Sequence, residues 1–70
     1  MTFRQTQLWN PIIGETVMVR IADDSEAPAV VTDMMDDQGN MTEDFDRADL
    51  VQVNGPISGW WTVSRIRRIA

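Results

Sequence analysis

From Glu15 to Ile21 the chain alternates strictly: Val17, Val19 and Ile21 on one side, Thr16, Met18 and Arg20 on the other. A period of two with β-branched residues on one face predicts a half-buried strand. Ala22-Asp23-Asp24-Ser25-Glu26 follows as a charged loop, and Pro28 marks the start of a second strand over Ala29–Met35, since proline is tolerated at a strand's first position. Asp36-Asp37-Gln38-Gly39-Asn40 carries hairpin turn chemistry, with Gly39 or Asn40 suited to a positive φ. Residues 41–49 fit two periods. Met41 and Phe45 are four apart, as in a helical turn, while Met41, Glu43 and Phe45 also share a strand face. The flanking β elements and the short length favour a third short strand running into a solvated loop. Leu50–Val53 reads as a fourth strand, and Asn54-Gly55-Pro56-Ile57-Ser58-Gly59 is dense in turn residues.

In the closing stretch Trp61 and Val63 keep period two, but Ile66 and Ile69 are three apart. A strand, a single 3₁₀ turn begun at Ser64 and a last short strand account for the change. Trp61, Val63, Ile66 and Ile69 are then the expected inward side, leaving Trp60, Arg65, Arg67 and Arg68 on the surface. Ahead of Gly14, Phe3, Leu8 and Trp9 lie in a polar leader that ends at Asn10-Pro11. An extended N-terminal arm over 1–13, packed by Trp9, and a single small β domain over 14–70 are expected.

The predicted layout is all-β: a small barrel of about five short strands with a 3₁₀ turn before the last one, closed so as to limit exposed edges. Gly14-Glu15-Thr16-Val17-Met18-Val19, Pro28-Ala29-Val30-Val31 and Trp61-Thr62-Val63-Ser64-Arg65-Ile66 resemble the small SH3-like barrel proteins of phages and other mobile elements, over about residues 14–69. The type II plasmid dihydrofolate reductase is a distant relative in shape. Val51-Gln52-Val53-Asn54 is similar to the Val-Gln-Ile-Tyr segment lining its tetrameric pore, which would imply a reductase-like enzyme. The tyrosine is missing here, and the chain has no lysine to meet cofactor phosphates.

Composition narrows the chemistry. The 70 residues contain no cysteine and no histidine, which removes disulfides and the usual zinc ligands and leaves a domain small enough that self-association is expected to help it. No cofactor or metal is expected. Without histidine, cysteine, lysine or tyrosine, only carboxylates remain for acid–base work at neutral pH, so no catalytic residues are assigned and a non-enzymatic protein is expected. A calcium loop fails as well: with Gly39 at the sixth position of an EF-hand loop, Met34 and Phe45 fall where oxygen ligands belong. The amino terminus has no apolar core of a signal peptide, and no run of the chain is long enough to span a bilayer, so a cytoplasmic, non-membrane protein is expected.

The net charge of −5 is unevenly distributed, with ten of eleven acids and one arginine between residues 23 and 49, and three of six arginines in the last six residues. Arginines beside Trp60 and Trp61 suggest a nucleic-acid grip, but three of them on an acidic chain make a small footprint, and direct nucleic-acid binding is not expected. The pattern predicts a structural or adaptor module acting by protein association. The expected self-contact is head to tail, Trp60, Arg65, Arg67 and Arg68 of one copy against Asp36, Asp37, Glu43 and Asp44 of the next. The alternative is an inhibitor whose acidic loops imitate nucleic-acid phosphates.

Overall fold

A twelve-residue strand carries the architecture. The computed structural model describes residues 11–69. β1 (Thr16–Ala22) and β2 (Ser25–Asp36) form a hairpin, and a 3₁₀ turn (Phe45–Arg47) leads into β3 (Ala48–Asn54). β4 (Gly59–Thr62), a second 3₁₀ turn (Val63–Arg65) and β5 (Ile66–Arg68) complete the chain. All pairs are antiparallel, in one sheet ordered β4-β3-β2-β1-β5. The start of β2 pairs with β1 from Ser25 to Val30, and its remainder pairs with β3 from Val30 to Asp36. Against β3 the register shifts between Val31 and Asp33 and again between Met35 and Asp36. Such bulges bend a strand and increase its twist, which lets β2 serve two partners in succession.

The buried residues are Ile12, Val17, Val19, Ala29, Val31, Met34, Val51 and Val53, and no polar side chain among the described residues is buried with them. Phe45, Ala48, Ile57, Trp61, Val63 and Ile66 pack around this cluster as a half-buried rim. Among the described residues the core begins at Ile12, which is 1% exposed, two residues ahead of Gly14. The proposed packing of Phe3, Leu8 and Trp9 in an arm lies outside the described residues.

Several expectations need correction. The sheet is not closed into a barrel. The second 3₁₀ turn carries the chain from β4 to the opposite edge, where β5 adds beside β1 and not beside β4. The third strand expected in 41–49 is absent: Met41 makes one isolated bridge to Met35, and the chain then enters the first 3₁₀ turn. Local side-chain bonds compete with a ladder here, because Thr42 Oγ1 accepts from the Asp44 amide and Asp44 Oδ1 from the Asp46 amide. β2 begins at Ser25, before Pro28, which sits opposite Met18 where β2 is paired on one side only. Ile21 is 41% exposed, at the register shift between Arg20 and Ala22, and Ile69 is 56% exposed, one residue past the end of β5.

Other local readings agree with the structure. Gly39 takes φ +84° in the turn after β2, and the 3₁₀ turn before the last strand spans Val63–Arg65. Gly55 adopts φ +156°, and a Cβ there would lie 3.2 Å from the Ala29 Cα, so that turn requires glycine for close approach as well as for φ.

Candidate functional site

The β1–β2 hairpin turns in two residues, Asp23-Asp24, and its register sets Arg20 opposite Glu26. On the other side of β1, β5 places Arg67 opposite Met18. Arg67 reaches across β1 to close a bidentate pair on Glu26, with Nε 3.1 Å from Oε2 and Nη2 2.8 Å from Oε1. The Arg67 hydrogen bonds, with the charges of Arg67 and Arg20, hold the Glu26 carboxyl below its usual range, and the same pair raises Arg67. Arg65, ending the second 3₁₀ turn, donates from Nη1 to the Arg20 carbonyl at 2.9 Å. These residues, with Ser64 and Ile66, line a surface cleft of about 180 Å³. Three arginines therefore share one cleft with a single carboxylate.

Arg68 stands apart from this group. Successive strand residues face opposite ways, so Arg68, opposite the buried Val17, turns to the core side of β5. There it pairs with Glu15, lies 5.9 Å from the centre of the Phe45 ring and reaches the Pro11 carbonyl at 3.5 Å. Trp60 is distant in the sheet order as well. It sits on β4, opposite Gln52, with 40% exposure, at the edge remote from β5. Trp61, half-buried on the core face, donates from its indole to the Ser58 carbonyl at 3.3 Å.

The far end of β2 holds the acids. The Asp36 side chain accepts from the Gln38 and Asn40 amides, each at 2.9 Å, and so builds the turn that leaves the strand. Asp44 caps the first 3₁₀ turn and pairs with Arg47 at 3.6 Å. Asp37 is exposed, and with Asp36, Gln38, Arg47, Ala48 and Asp49 it lines an open cleft of about 510 Å³. Glu43 lies on a separate opening with Ile13, Asp33, Met41 and Thr42. No group of three or more potential metal ligands occurs among the described residues, and no helix there is long and apolar enough to cross a membrane.

The structure thus brings Arg65 and Arg67 together, and Asp36 with Asp37. It sets Arg68, Trp60 and Glu43 elsewhere and gives Asp44 a capping role. Arg20 and Glu26 were missed in the sequence. Their signal is the tight Asp23-Asp24 turn, which reads as a charged loop unless the two flanking strands are paired across it. Comparison with known protein families, curated proteins and solved structures finds no match.

Proposed function

We propose that the chain is a non-enzymatic association module of SH3-like build that meets its own copy head to tail. One observation carries the reading: β2 has an arginine cleft at its beginning and an acidic cleft at its end. The strand order, with a 3₁₀ turn between the last two strands, supports the SH3-like assignment. Residues 33–49 hold seven acids and one arginine, a net −6 that suits the Arg20 and Arg65 guanidiniums of the next subunit. Glu26 already occupies the Arg67 fork, so Arg20 and Arg65 are the arginines offered to a partner. Opposite patches on one subunit make a heterologous contact, which closes into a ring or extends as a filament.

Light scattering across a salt series tests this. The expected outcome is an oligomer whose mass falls as salt rises, since screening shortens the reach of such contacts to about 8 Å at physiological ionic strength. Arg65→Glu should give monomers, and adding Asp37→Arg in the same chain should restore assembly. A monomer at every ionic strength and at high concentration would sink the reading.

The concentration of acids at one end also favours a second reading, an inhibitor that presents this end to a nucleic-acid-binding protein in place of phosphates. It predicts a salt-insensitive monomer that competes with DNA for its partner and stops competing after Asp37→Asn with Asp49→Asn. A reductase has less support, because Val51 and Val53 are buried and only Gln52 and Asn54 of that segment are turned away from the core. An assay with the reduced nicotinamide cofactor and dihydrofolate tests it directly.

A further inference from the structure

The arginine cleft contains more positive charge than its own carboxylate neutralises. Arg20, Arg65 and Arg67 face Glu26 alone, a local balance of +2. Both Glu26 oxygens are taken by Arg67, leaving Arg20 and Arg65 to other acceptors. Among the described residues the Arg20 guanidinium makes no hydrogen bond or ion pair, and Arg65 uses one nitrogen, on the Arg20 carbonyl. The Ser64 hydroxyl, 3.2 Å from that of Thr62, adds a rotatable donor to the rim. Two guanidinium forks and a hydroxyl around an opening of about 180 Å³ match a compact oxyanion, because planar forks bind paired oxygens of phosphate or carboxylate in two-point fashion. A monocarboxylate would leave one positive charge over, whereas a dianion balances the cleft.

We propose that the Arg20–Ser64–Arg65 side of this cleft is a binding site for a phosphate dianion, either free or as a terminal monoester. Asp23 and Asp24 in the adjoining turn do not line the cleft, although their charge opposes any anion approaching it. The acids at the other end of β2 weigh less. Ten residues separate Glu26 from Asp36, roughly 33 Å of strand at about 3.3 Å per residue, against a screening length of about 8 Å. Binding does not require self-association. Control of assembly does, and rests on the head-to-tail reading: phosphate would occupy the donors offered to the next subunit and so release it.

The test is calorimetric titration of the full chain with inorganic phosphate and, separately, O-phosphoserine, at constant ionic strength made up with chloride. Saturable binding of phosphate over chloride is expected. Similar affinities for the two ligands mean that the phosphate group alone is read, and tighter phosphoserine binding means that the natural ligand is a monoester. Arg20→Gln with Arg65→Gln should weaken binding by roughly tenfold or more, the scale of a lost charge-assisted hydrogen bond. Arg68→Gln, outside the cleft, should leave binding unchanged, and Asp23→Asn with Asp24→Asn should tighten it. Circular dichroism confirms that each variant is folded. No binding beyond the chloride control, or undiminished binding in the folded double-arginine variant, overturns the site. Phosphate binding to a chain that is monomeric throughout would uphold the site while removing head-to-tail assembly.

Discussion

At the start of β2 a carboxylate faces arginines, whereas at its end carboxylates face backbone amides. Glu26 is held by a guanidinium from β5, forty-one residues away in sequence. Asp36 is held by amides two and four residues ahead. The first arrangement requires the sheet to be assembled, since Arg67 reaches Glu26 only when β5 lies beside β1. The second needs only a short local turn, and it converts an acid that looks like surface charge into part of the scaffold. Counting acids therefore overstates what a partner meets at this end. Asp37 and Asp49 are exposed, while Asp36 also holds the turn after β2 and Asp44 caps the first 3₁₀ turn.

The largest expected effect removes what both ends share. Met34 is fully buried beneath the second half of β2, and Met34→Ala should cost about 2–5 kcal/mol, read from urea denaturation. In a domain of this size that approaches the whole stability of the fold. Next is the acidic end alone: Asp36→Ala leaves the Gln38 and Asn40 amides without their acceptor and should cost about 1–2 kcal/mol. Asp37→Ala next to it should stay within about 0.5 kcal/mol, as exposed substitutions do. Equal losses at 36 and 37 would erase the distinction between scaffold and surface acids.

The smallest effect belongs to the exposed pair at the other end and is best seen as a titration. Because the folded Glu26 pKa lies below the ordinary 4.5, the pair stabilises the fold above that value, and its contribution fades as pH falls from there through the folded pKa. Arg67→Gln should raise the Glu26 carboxyl pKa measured by NMR toward its ordinary value and flatten this part of the acid denaturation curve. An unmoved Glu26 would mean that the bidentate pair does not persist in solution.

Part of this was legible locally. The alternation of Val17 and Val19 marks β1, Gly39 the turn after β2, and the change of spacing after Val63 the 3₁₀ turn before the last strand. Residues 41–49 misled because two periods fit them equally, and what decides between them is where the Thr42 and Asp44 side chains bond. The candidate site was half legible: Arg65 and Arg67 stand out beside each other, but Arg20 lies forty-five residues before Arg65 and joins it only through β1–β5 pairing. Arg68 misled for the complementary reason. Adjacent to Arg67 in sequence, it is carried to the opposite face by the two-residue period of the strand.

What the sequence determined by itself is thus the all-β class, the turn chemistry and the segregation of charge, since each depends on neighbours a few residues apart. Strand order and the gathering of Arg20, Arg65 and Arg67 with Glu26 in one cleft were decided by the tertiary structure. The physical reason is range: periodicity and turn geometry are set by nearby backbone, whereas the charges that meet are set by which strands lie side by side.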